Sequence, residues 1–331
     1  MNKFKIKISM IMLMILSVIM GLNMSNWLSM WMSMEINLIS FIPIIYSFKS
    51  MESSKKCMIY LLVQSLSSMM FMFLILSKNA NMMLNTLNLN LMLMLTMMIK
   101  MGLPPFHFWL PEFMNKMNWI NLFILMIIQK IIPLYITSQI INMINSILYI
   151  MIISTIISSI LGINQTSLNK MMAFSSMNHT TWMISSMKIN NFMWIYYLTL
   201  YMLITFTICL FMELNSMFYI NQMLNNKNSM MENINNSIMI LSMGGIPPFL
   251  GFTPKWMVIN LLIINKMFTM SFILIMTSII TLIFYLKMMT ILMINNSIVN
   301  KFQTLKMNKK YQNLPLMTNM MIPISIIISM T

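Results

Sequence analysis

Four charged side chains stand inside hydrophobic stretches of this 331-residue chain. Glu35 lies between Trp31 and Phe41, Lys100 precedes Met-Gly-Leu-Pro-Pro, Lys130 is central in Ile-Ile-Gln-Lys-Ile-Ile-Pro, and Lys255 follows Pro254. A charge at a bilayer centre costs about 2.5–3.5 kcal/mol on insertion scales, so such residues face a bundle interior and pair with one another. One acid cannot pair with all three lysines; the alternative is a few buried ion pairs that set helix registry. Burial disfavours a charged amine and a nearby carboxylate restores it. An acid that moves relative to a buried lysine therefore loads or unloads a proton. On this reading Glu35 acts on Lys100, Lys130 receives the proton, and Lys255 passes it onward, a chain of titratable groups of the kind found in pumps. Asn37, Gln64, Gln129, Ser175, Ser176 and His179 are candidates to hold connecting waters. An imidazole titrates near neutrality when unperturbed, so His179 reads equally as proton relay or structural hydrogen bonder. Glu112, Glu213 and Lys287 lie at span ends and read as interfacial or snorkelling groups.

Two broken segments must position these charges. Residues 101–113 and 244–256 align without a gap, with Gly102, Pro104, Pro105, Phe106 and Pro111 matching Gly245, Pro247, Pro248, Phe249 and Pro254. Proline removes a backbone donor and clashes with the carbonyl four residues back. In lipid the freed carbonyls have no water, so such breaks persist only inside protein or against a wet cavity. A matched pair of broken segments in two halves of a chain points to an ion or substrate path. His107 adjoins the first break and reads as a hydrogen-bonding partner for the freed backbone.

Composition places the whole chain in a membrane as a single integral domain, 1–331. It is 59% hydrophobic and 8% charged, and apolar runs long enough to span the hydrocarbon recur from end to end. Eleven spans are expected, near 7–22, 27–47, 57–77, 89–112, 119–139, 146–163, 168–187, 192–214, 234–262, 268–290 and 314–330. The N-terminal lysines and apolar run resemble a signal peptide, but no small-residue cleavage site follows, so the run reads as a retained first helix. Lysine placement tests the count. With the N-terminus inside, inner segments hold Lys3, Lys5, Lys7, Lys49, Lys55, Lys56, Lys116, Lys170, Lys227, Lys301, Lys306, Lys309 and Lys310, whereas outer segments hold Lys78, Lys188 and Lys266. That asymmetry makes the +15 net charge a topology signal beside anionic lipid and not a nucleic-acid footprint. The 52 Met, with no Arg and no Asp, suggest AT-rich coding in which AUA also reads as Met, hence a mitochondrial genome and the inner membrane. Cys57 and Cys209 stand alone, short of the four ligands an iron–sulfur cluster takes. No Gly-x-Gly-x-x-Gly or Walker loop occurs, so neither redox centre nor nucleotide nor metal is expected in this chain.

At these residues the chain resembles the antiporter-like membrane subunits of respiratory complex I, the NADH:ubiquinone oxidoreductase, and among them the mitochondrial members. The signature runs Lys-Met-Gly-Leu-Pro-Pro-Phe-His-Phe-Trp-Leu-Pro-Glu at 100–112, with Met-Glu-Ile-Asn at 34–37, Gln-Lys at 129–130, Gly-Ile-Asn-Gln-Thr at 162–166, Ala-Phe-Ser-Ser at 173–176, His179, Trp182, and the 244–256 segment in order. The resemblance implies a proton-translocating membrane-arm subunit. Its implied fold is all-α, with two inverted five-helix repeats, each holding a discontinuous helix broken near 102–105 or 245–248. The first helix and first repeat would occupy 7–139, the second repeat 146–290, and an inner loop with the last helix 291–331. It implies Glu35 and Lys100 as the coupling pair, Lys130 as the central lysine and Lys255 as the exit-side lysine. Implied partners are other complex I membrane-arm subunits, lipid, protons and internal water; quinone chemistry would occur elsewhere in the complex. Lys170 follows Asn169 where relatives often carry two basic residues, and Thr180 and Thr181 replace small or apolar residues. A multisubunit cation/proton antiporter and a structural membrane-arm spacer are the alternative readings.

Overall fold

A computed structural model describes residues 2–46, 51–80, 86–143, 147–224 and 230–298. The described residues are helical apart from turns and one isolated bridge, Ser167 to Tyr219. In chain order the helices are α1 (Asn2–Asn23), α2 (Trp27–Ile45), α3 (Met51–Asn79), α4 (Thr86–Met101), α5 (Trp109–Met114), α6 (Trp119–Ile140), α7 (Ile147–Ile163), α8 (Leu168–Met187), α9 (Met193–Leu214), α10 (Ile220–Leu224), α11 (Met230–Gly244), α12 (Phe252–Ile264) and α13 (Phe268–Ile298). Each of the first ten expected spans coincides with helix. The fourth is divided into α4 and α5, and the ninth into α11 and α12. The eleventh, 314–330, lies outside the described residues. Among the described residues, six helices are long and apolar enough to cross a bilayer: α1, α2, α3, α6, α9 and α13. The rest are shorter or, in α8, too polar to qualify by composition.

The chain forms two compact units. The first comprises 1–114 and 124–150, the second 115–123 and 151–331. In the first unit α2 packs between α1 and α3, and α3 packs against both α4 and α5. Tyr60 of α3 anchors that junction, its ring 5.3 Å from Phe41, 5.2 Å from Phe113 and 6.4 Å from Trp109.

In the second unit α8 is the centre, and every one of its residues except Lys170 is buried. Helices α9 and α12 pack on it, while α13 packs on α11 and α12. A buried hydroxyl must find a partner, and in a helix the carbonyl a turn earlier is within reach. Ser175, Ser176, Thr180, Thr181, Ser185 and Ser186 all donate to the carbonyl three residues back, at 2.6–2.9 Å. A polar sequence thereby becomes a core helix. The start of α6 is also held in this unit: the Trp119 amide donates to Glu213 Oε2 at 2.8 Å, and its indole N–H to the Met217 carbonyl at 2.9 Å. Glu213, expected to be interfacial, satisfies one of the orphan amides at a helix N-terminus.

Candidate functional site

The first break begins where α4 stops. Gly102 takes a left-handed conformation, φ 68°. Its amide donates to the Ile99 carbonyl at 3.2 Å, and the Leu103 amide donates to the Met98 carbonyl at 3.0 Å. These are the two bonds of a Schellman ending. Pro104 and Pro105 cannot continue the ladder, so the last carbonyls need side chains. The Trp109 indole donates to the Ile99 carbonyl at 3.2 Å. Gln64, from α3, donates to the Lys100 carbonyl at 3.1 Å. His107 Nδ1 lies 3.3 Å from the Pro105 carbonyl, the backbone-bonding role read from its position.

Beside this break the first unit encloses a cavity of about 20 Å3 lined by Tyr60, Gln64, Lys100, Trp109, Gln129 and Lys130, enough for a water. Both lysines are buried, and Lys130 is 4% exposed. A polar string leaves the cavity. Tyr60 donates its hydroxyl to Gln129 Oε1 at 3.0 Å, and Gln129 Nε2 donates to Asn37 Oδ1 at 3.1 Å. Asn37 lies two residues beyond Glu35 on α2. The Lys100 ammonium reaches the Met34 sulfur at 3.5 Å, next in sequence to Glu35. Oε1 of Glu35 is shielded from solvent and accepts no hydrogen bond among the described residues. Lys100, Lys130, Gln64 and Gln129 are thus brought to one cavity, with Glu35 one residue from the group that Lys100 touches.

The second break is built on the same backbone device with a different cap. Gly245 is left-handed, φ 81°, and its amide donates to the carbonyls of Leu241 and Ser242, both at 3.1 Å. The Gly244 carbonyl is taken by Lys255 itself, whose Nζ donates at 2.8 Å. A Cβ on Gly251, at the start of α12, would overlap the Ser242 carbonyl, so the two half-helices touch backbone to backbone. A cavity of about 10 Å3 lies here, lined by His179, Tyr197, Tyr201, Ser242, Gly251 and Pro254. His179 Nδ1 is 2.9 Å from the Tyr197 hydroxyl, and its ring centroid is 4.7 Å from that of Tyr201. His179 therefore shares a cavity with the break that carries Lys255. Sequence reasoning had not singled out Tyr60, Tyr197 and Tyr201. Their signal was a phenol within an apolar run, where the buried hydroxyl must find a partner.

Residues 24–281 match the family described as NADH:quinone oxidoreductase/Mrp antiporter, transmembrane, a span that includes Glu35, Lys100, Lys130, His179 and Lys255. NADH-ubiquinone oxidoreductase chain 2 of Aedes aegypti is 46% identical over 290 residues, covering 85% of this chain and 83% of its own. The chain belongs to the NADH:quinone oxidoreductase/Mrp antiporter family. Two further family relatives named NADH-ubiquinone oxidoreductase chain 2 are similar at comparable length. That of Locusta migratoria is 37% identical over 86% of this chain and 85% of its own. That of Anopheles gambiae is 38% identical over 77% and 76%. Solved structures share the family fold at low identity. A chain of respiratory complex I from Thermus thermophilus, with bound Aureothin, superposes with TM-score 0.80 at 13% identity, over 96% of this chain and 77% of its own. A chain of the Mrp complex from Dietzia superposes with TM-score 0.73 at 16% identity, over 85% and 59%. The resemblance read from the motifs is therefore a family membership.

Proposed function

We propose that this chain is a proton-translocating core subunit in the membrane arm of an NADH:ubiquinone oxidoreductase of the mitochondrial inner membrane. It crosses the bilayer eleven times in two inverted five-helix repeats, with its N-terminus on the matrix side. It works with other membrane-arm subunits, lipid and internal water, and holds no redox centre; NADH oxidation and quinone reduction occur elsewhere in the complex. The observation that carries this reading is the placement of two buried lysines, Lys100 and Lys130, on one water-sized cavity at a helix break. Two amines on one cavity are suited to passing a proton between them through a water. The Tyr60–Gln129–Asn37 string runs from that cavity to the helix of Glu35. A charge change at Glu35 alters the field at Lys100 and so biases where the proton resides. In the second unit His179 and Lys255 serve the onward path at the second break.

The test introduces Lys100→Met or Lys130→Met into the intact complex in inner-membrane vesicles. Native-gel assembly, NADH:ubiquinone turnover and proton uptake are then measured together. The expected outcome is an assembled complex that moves fewer protons per NADH. Normal proton transfer in either assembled variant overturns the reading. Loss of assembly alone on neutralising Lys130 favours a structural spacer, and sodium-dependent transport without quinone reductase favours a cation/proton antiporter.

A further inference from the structure

Lys255 reaches backward across the second break. It lies eleven residues beyond Gly244, yet its Nζ donates to the Gly244 carbonyl at 2.8 Å. That carbonyl ends α11, so the ammonium sits where the helix dipole favours positive charge. The path of the side chain crosses Gly245. A Cβ built on Gly245 would lie 2.8 Å from Nζ, 3.0 Å from Cδ and 3.1 Å from Cε of Lys255. The left-handed backbone at Gly245 suits glycine, but asparagine visits that region too. Contact with Lys255 adds a second demand: a Cβ there would crowd the end of that side chain and push it off its present position. The first break supplies the contrast. Gly102 is also left-handed, but a Cβ there would meet Leu110, and Gln64, not a lysine, takes the freed carbonyl of Lys100.

We propose that Gly245 is a positioning residue for Lys255. Its bare α-carbon and the Gly244 carbonyl form a seat that holds the ammonium on the end of α11, beside the cavity lined by His179 and Pro254. The inference rests on the reading of Lys255 as a proton-carrying group and names what sets its place. When the ammonium leaves this seat, the Gly244 carbonyl loses its partner, so the position of Lys255 and the shape of the break depend on each other.

The experiment compares Gly245→Asn, Lys255→Ala and the double variant in the intact complex in membrane vesicles, reading native-gel assembly and protons moved per NADH oxidised. Gly245→Asn is expected to assemble and to lose proton transfer to the level of Lys255→Ala. The double variant is expected to be no worse than either single one, the non-additivity of residues that act through one group. Asparagine keeps the left-handed backbone, so a purely conformational role for Gly245 predicts near-normal transfer; that result overturns the proposal, as does an additive loss. If Gly245→Asn alone fails to assemble, adding Lys255→Ala removes the side chain the new Cβ would meet and must restore assembly; failure to restore it overturns the proposal. If Lys255→Ala alone moves protons normally, the conduction reading of Lys255 fails. The seat is then decided by the structure of the Gly245→Asn complex: displacement of Nζ from the Gly244 carbonyl supports it, and a retained bond overturns it.

Discussion

Gln129 joins the two halves of the polar string in the first unit, accepting from Tyr60 and donating to Asn37. Gln129→Leu strands the Tyr60 hydroxyl and Asn37 Oδ1 in a buried setting, where an unsatisfied polar group costs about 1–3 kcal/mol. Thermal denaturation of the purified complex is expected to show that loss, together with reduced proton transfer; unchanged values for both would remove Gln129 from the path. Glu213 carries a separate expectation. It accepts from the first amide of α6, so Glu213→Ala should cost about 0.5–2 kcal/mol, the range for a lost N-terminal cap, and leave protons per NADH unchanged in the complex that assembles. The sequence marked Glu35, Lys100, Lys130, His179 and Lys255 because charge or imidazole inside an apolar run is anomalous by itself. It did not mark Tyr60 or Tyr197, because a phenol in such a run is unremarkable until its hydroxyl is seen meeting Gln129 or His179.

At the scale of elements, the two breaks share spacing and backbone sign but differ in what closes them. Their Gly-x-Pro-Pro-Phe pattern was readable because proline and glycine act locally on the backbone. The capping groups were not readable, since Gln64 is 36 residues from the carbonyl it meets. A graded set of glycine substitutions tests the description. Gly244→Ala meets nothing nearer than 3.7 Å and should be close to neutral in assembly and melting temperature. Gly102→Ala forces alanine into the left-handed region at about 1–2 kcal/mol and places Cβ 2.9 Å from Leu110 Cβ. Gly251→Ala drives a methyl group into the backbone of α11, an overpacking whose usual cost is about 1–3 kcal/mol or more, and it should be the most damaging of the three. A melting series in any other order contradicts the packing of α11 against α12. The polarity of α8 belongs here too: the sequence marks a span at 168–187, and its enclosure by neighbouring helices is what makes so polar a helix a core element.

For the whole molecule, the lysine asymmetry makes an orientation testable. Among the described residues Lys78 and Lys266 are exposed at helix ends. A membrane-impermeant amine reagent should label Lys78 and Lys266 in mitochondria stripped of the outer membrane. It should label the N-terminal lysines and the 301–310 cluster, which lies outside the described residues, only in inverted vesicles. Labelling of both groups from one side would break the eleven-crossing count. The sequence by itself determined the all-helical membrane class, the order of the helices, the two breaks and the identity of the charged groups, because hydrophobic runs, prolines and glycines act over a few neighbouring residues. Tertiary structure decided which group serves which break. Gln64 relieves the Lys100 carbonyl and the Lys100 ammonium turns to Met34, whereas Lys255 is bound to the carbonyl of its own break. Two lysines beside matched motifs acquire different partners because a hydrogen bond is settled by distances between packed helices, and those distances are absent from the local pattern.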